Sequence, residues 1–259
     1  RISERNAGMH LTVVTLFPDL VEALYAGGIA GRARERALIR TANVNPRDFT
    51  HDVHRTVDDR PYGGGPGMVM KVEPLLAAIT AARGAAPAGT PVVMMSPQGQ
   101  PFDQALAREF AALPGLILVA GRYEGVDERA LSAVDREVSI GDYVLSGGEL
   151  AAMVVMDAVI RLLPGAVGDA ASCAQDSFWD GLLDCPHYTR PETHATGEVP
   201  AVLRSGDHEA IRRWRLQQSL GRTWLRRPGL LAGRELTPEQ DRLLQDFIDN
   251  LGIDDPACG

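Results

Sequence analysis

Three times in the middle of this chain a short apolar run ends in a glycine-bearing turn. Residues 92–95 lead into Ser96-Pro97-Gln98-Gly99, and residues 116–120 into Gly121-Arg122-Tyr123-Glu124-Gly125. The third case is Ser139-Ile140-Gly141-Asp142-Tyr143-Val144-Leu145-Ser146-Gly147-Gly148-Glu149-Leu150, which passes from a strand-like segment through a glycine pair into a long apolar helix. Apolar runs this short read as buried strands. Glycine at a strand end lets a ligand approach the main-chain N–H groups with no side chain in between. The pattern predicts one small-molecule pocket, lined mostly by backbone, at the ends of three strands.

Around these turns helix and strand patterns alternate. Residues 10–17 read as a first strand, and Pro18 with Asp19 opens a helix to about residue 25. Residues 47–58 are polar and partly extended. Residues 74–82 read as a helix ended by Arg83-Gly84. Strands at 92–95, 116–119 and 137–140 then alternate with helices at 103–112, 127–133 and 148–163. This rhythm predicts an α/β domain with a mostly parallel sheet and helices on both faces.

Residues 1–8 read as an upstream extension or cloning remnant, and the first domain is expected over 9–164, where Pro164-Gly165 stops the last helix. Residues 165–180 are expected to form a flexible linker. Residues 181–259 are expected to form a small helical domain. Ser205 is the expected N-cap of its long helix, with Asp207 and Glu209 in the first turn. Ile211, Trp214, Leu220 and Leu225 would form the inner face. Arg212, Arg215, Arg222 and Arg226 would form one stripe if the helix continues through Gly221. A last helix is expected over 238–251.

Composition excludes several classes. No G-x-G-x-x-G follows residues 13–17, and the glycines at 63–67 lack the Lys-Ser/Thr pair of a phosphate-binding loop. Cys173, Cys185 and Cys258 lie far apart, which predicts unpaired thiols in a reducing cytoplasm. No signal-peptide core is apparent at the N-terminus. The longest apolar run, 150–163, is broken by Asp157 and Arg161 and is too short to span a bilayer. His187 and His194 have no Cys or His partner at zinc-ligand spacing, so no metal site is expected. The net charge of −8 argues against a general nucleic-acid binder. Yet the stretch 204–234 holds eight arginines against Asp207 and Glu209, a local excess of six positive charges. That patch suits a protein that grips phosphate at one place, or is a solvated charged face.

Three further motifs stand in order around the glycine turns: Val14-Thr15-Leu16-Phe17-Pro18, Asp58-Asp59-Arg60-Pro61-Tyr62-Gly63-Gly64-Gly65-Pro66-Gly67-Met68 and Gln175-Asp176-Ser177-Phe178. Together the chain, from about residue 9 to the C-terminus, resembles the bacterial tRNA (guanine-N1)-methyltransferases, S-adenosylmethionine enzymes of the knotted SPOUT class. The resemblance implies a parallel sheet whose C-terminal part threads a deep trefoil knot, which composition could not reveal because knots are nearly absent from proteins. It implies that Pro97, Gly121, Glu124, Ile140, Tyr143, Leu145, Gly147 and Gly148 line the S-adenosylmethionine pocket. It also implies a homodimer with shared active sites. The apolar helix at 148–163 suits burial against a partner or within one core.

The N1 of guanine carries a proton, so methylating it needs a general base, and negative charge then develops toward O6. The resemblance assigns the base to Asp176 and the compensating cation to Arg161. The acceptor must leave its stack to reach a pocket, which is cheapest in a loop and fits an anticodon-loop substrate; the resemblance implies the guanosine immediately 3′ of the tRNA anticodon. The resemblance implies that Asp58, Tyr62, Gly63, Gly64 and Gly65 hold that base, although Asp58 and Asp59 could also be a metal pair or a solvated loop. Ser177, His187, Arg212, Arg215 and Arg222, with Tyr188 and His194, would contact the anticodon stem-loop. Mg²⁺ is implied for activity without a legible ligand set, Glu124 being one candidate. The competing readings are a knotted methyltransferase for another RNA and a non-catalytic RNA-binding protein.

Overall fold

The computed structural model describes residues 8–168 and 175–251. The chain divides into two compact units, the first ending at Ala170 and the second beginning at Ala171.

The first unit is built on a five-stranded sheet of β1 (Met9–Val14), β2 (Ile39–Val44), β5 (Val92–Pro101), β6 (Gly115–Ala120) and β7 (Arg136–Ser139), in the order β2-β1-β6-β5-β7. Every neighbouring pair is parallel. A parallel sheet must be covered on both faces, and side-chain alternation does this here. Leu116, Leu118 and Ala120 point into one buried cluster, while Ile117 and Val119 point into the other. The first cluster lies under α2 (Gly28–Glu35), α4 (Gln104–Ala111) and α5 (Glu149–Ile160). The second lies under α3 (Val72–Ala85). A short hairpin of β3 (Asp58–Asp59) and β4 (Val69–Met70) stands apart from the sheet.

Several boundaries differ from the sequence expectation. The first strand stops at Val14, because the chain turns where Phe17 N donates to Thr15 Oγ1 at 2.9 Å. The helix after it is α1 (Pro18–Glu22), followed by a 3₁₀ turn at Ala23–Tyr25. The sequence expectation held neither α2 nor β2: β2 is an edge strand, with Arg40 and Ala42 exposed, so it lacks the continuous apolar run of an inner strand. α3 runs through Gly84, where a Cβ would meet open space. Residues 128–133 form a 3₁₀ turn instead of an α-helix. α5 is shorter than 148–163, with Gly148 and Arg161 as its caps.

The second unit contains α6 (Ala201–Arg204), α7 (His208–Arg226) and α8 (Pro238–Leu251), with a small hairpin of β8 (Thr193–His194) and β9 (Gly197–Glu198). Its core gathers Leu182, Leu220 and Leu243. The N-cap of α7 is Asp207, not Ser205: Asp207 Oδ1 accepts from Glu209 N at 3.1 Å and Ala210 N at 3.0 Å. Ser205 Oγ instead accepts from Asp207 N. α7 continues through Gly221 because the Phe247 ring packs where a Cβ would stand. Leu225, expected inside, is 47% exposed. Among the described residues no helix is long and apolar enough to cross a membrane.

The expected linker falls in part on residues 169–174, outside the described residues. Beyond them the chain closes a turn, with Trp179 N donating to Asp176 O at 3.2 Å and Phe178 N to Leu182 O at 2.6 Å.

Candidate active site

β6, β5 and β7 lie side by side, so the segments leaving their C-terminal ends converge. Open α/β sheets bind ligands at that edge. Here the segments enclose a cleft of about 400 Å³, within the usual range for small-molecule sites. All eight residues expected at the cofactor line it. Pro97 comes from β5, Gly121 and Glu124 from the turn after β6, and Ile140, Tyr143, Leu145, Gly147 and Gly148 from the segment between β7 and α5. Tyr143 and Leu145 are partly exposed at its wall, Tyr143 Oη donating to Ile140 O at 3.3 Å.

The first of the three glycine turns is an irregularity inside a strand, a correction to the expectation. β5 continues to Pro101, and both Met95 and Gln100 pair with Val138, so residues 96–99 bulge out of register. Gly99 permits this because a Cβ there would strike the β7 backbone at Glu137 and Val138. The other two turns are bonded to each other. Gly148 N donates to Gly121 O at 2.9 Å, and Arg122 and Gly147 form an antiparallel bridge. A Cβ on Gly148 would stand 2.7 Å from Ala120 Cα and 3.0 Å from Gly121 N, so only glycine fits this crossing.

A buried ionic group, which sequence reasoning missed, joins these turns to the end of β1. Glu149 opens α5 with no solvent exposure, and its Oε1 accepts from Thr15 Oγ1 at 2.8 Å. Arg122 Nε lies 2.8 Å from Glu149 Oε2. The N–H is not directed at that oxygen, and neither atom has a hydrogen-bond partner among the described residues, so the contact is a charge pair. The Arg122 guanidinium also sits 4.2 Å from the centre of the Phe17 ring, and its Nη1 donates to Ser146 O at 3.2 Å. Both residues stand inside the quoted motifs, but nothing local signals that they meet.

The loop between β3 and β4 carries the residues expected to hold the target base. Tyr62 is fully exposed, and Gly63, Gly64 and Gly65 all have positive φ. The base of the loop is tied to the cleft: Glu124 N donates to Met68 O at 3.0 Å, and Met70 N to Gly125 O at 2.9 Å. A Cβ on Gly67 would strike the Glu124 side chain. Tyr123, a cleft residue with φ of 62°, has its phenol pKa raised by burial first and by the adjacent Asp58 carboxylate second. Asp58 thus sits beside the cleft wall.

The remaining expected residues are not among those lining the cleft. Arg161 caps the far end of α5. Asp176 and Ser177 belong to the second unit, where Ser177 Oγ accepts from Asp184 N at 2.9 Å. His187 Nε2 is 2.8 Å from Asp184 Oδ2. The sequence spacing left His187 without a metal-ligand partner, yet Asp184, Cys185 and His187 bring their ligand atoms within 4.8 Å of one another. Burial raises the Cys185 thiol pKa, with Asp184 adding to the shift. Arg212 is engaged by Glu209 and Glu239, each at 2.7 Å, with its pKa raised accordingly. Arg215 and Arg226 are exposed on the same stripe of α7, and Arg222 is half-buried.

Comparison with known proteins matches the sequence to a family over most of the chain. Residues 9–233 match the family described as tRNA (Guanine-1)-methyltransferase TrmD. A tRNA (guanine-N(1)-)-methyltransferase from Methylococcus capsulatus is 64% identical over 92% of this chain and 96% of its own length. Enzymes of the same name from Shewanella halifaxensis and Halorhodospira halophila are 60% and 61% identical, over 95% and 92% of this chain and 100% and 90% of their own. With the glycine crossing, the cleft and most of the second unit inside the matched span, the chain belongs to the tRNA (guanine-1)-methyltransferase TrmD family.

Proposed function

We propose that this enzyme methylates N1 of the guanosine immediately 3′ of the tRNA anticodon, taking the methyl group from S-adenosylmethionine held in the cleft. The observation that carries the reading is the convergence of three glycine-bearing segments on one backbone-lined cleft in a chain of this family. The cleft suits the cofactor chemically: Gly121 and Gly148 contribute main chain to its lining, and Tyr143 and Leu145 contribute aromatic and apolar side chains. When bound, the cofactor supplies an electrophilic methyl on a sulfonium sulfur. Asp176 accepts the N1 proton, and Arg161 stabilises the charge that develops toward O6. Mg²⁺ is a further requirement in this reading, and Glu124 is the ligand to test first.

The same proposal includes a trefoil knot, a homodimer and a division of labour. β7 lies outside β5 at the sheet edge, yet the chain then returns past β5 to bond at Gly121, the crossing a knot needs. Gly148 and Arg161 are separated by about 20 Å along α5 at the standard rise. A second copy would therefore supply Arg161 to the cleft. Leu150 and Val154, four residues apart on α5, are each 48% exposed, and a second copy would cover them. Residues 9–164 would hold the cofactor, 165–180 would carry the base and 181–259 would grip the tRNA, with Arg215 and Arg222 against phosphate.

The test is methyl transfer from labelled S-adenosylmethionine to anticodon stem-loops with and without the target guanosine. Labelling should require that guanosine and collapse in Asp176→Ala while cofactor binding persists. Labelling indifferent to the guanosine would overturn the substrate, and an active Asp176→Ala would overturn the base.

A further inference from the structure

The Arg122–Glu149 pair is buried, charged and placed at the cleft, yet it has no part in the proton transfer described above. Arg122 lines the cleft, and its side chain is only 18% exposed. Methyl transfer changes the charge of whatever occupies this cleft: the sulfonium donor carries a positive charge on sulfur, and the thioether product does not. A lone guanidinium in the wall would favour the neutral product and oppose the donor. Glu149 cancels it. Its carboxylate is 2.8 Å away and fully buried, at the first position of α5, where the helix dipole also favours a negative charge.

We propose that Glu149 neutralises Arg122 in the cleft wall and so keeps the guanidinium from shifting the cleft's preference from S-adenosylmethionine toward S-adenosylhomocysteine. The inference rests on reading the cleft as the cofactor site. Both are positioning residues in the sense that neither takes part in the chemistry. Gly147 makes room for the pair, since a Cβ there would strike the Arg122 side chain. Thr15 Oγ1 holds Glu149 Oε1, and Phe17 and Ser146 O hold the guanidinium. Removing either charge alone leaves the other uncompensated beside the ligand, with opposite consequences for a cationic donor.

The experiment is titration of both ligands into the full-length protein by calorimetry, for wild type, Glu149→Gln, Arg122→Gln and the double variant. Gln at position 149 keeps the volume and the acceptor for Thr15, so shape is preserved while charge is lost. Glu149→Gln should lower the donor-to-product affinity ratio about fivefold, as for a unit charge felt across roughly 10 Å at an intermediate dielectric. Arg122→Gln should raise the ratio by a similar factor, and the double variant should return it to within about twofold of wild type. Ratios that move in the same direction in both single variants, or that stay unchanged, would overturn the proposal, because a purely structural role weakens both ligands alike. Should Glu149→Gln fail to fold, the opposite-signed shift in Arg122→Gln and its reversal in the double variant decide the matter. Failure of the underlying reading looks different: wild type would bind neither ligand, or Gly148→Ala would leave binding of both unchanged.

Discussion

Replacing Gly148 by alanine adds one methyl group at the point where two segments of the cleft cross. Its φ of −79° is acceptable to any residue, so backbone strain is not the issue. Space is. The new Cβ would stand 2.7 Å from Ala120 Cα and 3.2 Å from Ala120 C, against an ordinary carbon–carbon contact near 3.5–4.0 Å. These are backbone atoms of a central strand and cannot swing aside. The start of α5 must move outward by roughly 1 Å, stretching the 2.9 Å bond from Gly148 N to Gly121 O. Overpacking of this kind costs about 1–3 kcal/mol. Because Gly121 and Gly148 both line the cleft, cofactor affinity should fall at least tenfold. All three tryptophans, Trp179, Trp214 and Trp224, lie in the second unit. Far-UV circular dichroism during urea unfolding should therefore shift to lower urea, while the tryptophan fluorescence transition holds still. Gly84→Ala is the control: it sits in α3 with open space around the added methyl and should stabilise by about 0.5 kcal/mol. A Gly148→Ala variant with unchanged unfolding midpoint and cofactor affinity would refute the steric argument.

Leu150→Asp with Val154→Asp should convert a dimer to a monomer by sedimentation, with methyl transfer abolished and cofactor binding diminished; a monomeric wild type would sink this reading. Arg215→Ala and Arg222→Ala should each weaken tRNA binding at every sequence and flatten the salt dependence by about 0.7–0.9 in log–log slope. Arg212→Ala should do less, because Glu209 and Glu239 already neutralise it. Asp127 is held down to a pKa of about 2, first by the Arg129 side-chain hydrogen bond and then by the Arg129 backbone N–H. A depressed carboxylate contributes stability above its unfolded pKa, 3.8, that is lost as pH falls through about 2. Asp127→Asn should thus be less stable than wild type at pH 6, with the gap closing between pH 4 and 2. Since the Arg129 side chain is 70% exposed, salt should shrink that gap. Asp127 is also the N-cap of the 3₁₀ turn at 128–133, accepting from Arg129 N, and a gap independent of pH would assign the effect to that cap alone.

Legibility followed burial. β5 and β6 were readable because inner strands covered on both faces carry apolar runs, whereas the edge strand β2 has exposed positions that break its run. The long arginine helix was readable by its period. Its cap was misplaced by two residues because Ser205 and Asp207 are both good caps and only the local geometry selects Asp207. The segment 96–99 looked like a turn because proline and glycine are the usual turn signals. It is a bulge because Gly99 meets the β7 backbone, a contact made across the sheet. The glycine turns announced a backbone-lined pocket through their missing side chains, whereas Asp176 and Arg161 were carried by resemblance alone.

By itself the sequence determined which segments become strands and helices and where glycine leaves backbone bare, because side-chain period and missing Cβ atoms act within a few residues. Only the tertiary structure decided that β6, β5 and β7 stand side by side. It alone brought Thr15 to Glu149 across 134 positions and set Arg122 against the same carboxylate. Such meetings depend on strand order and on the close approach of backbones, which arise from packing the whole sheet and are written in no local pattern.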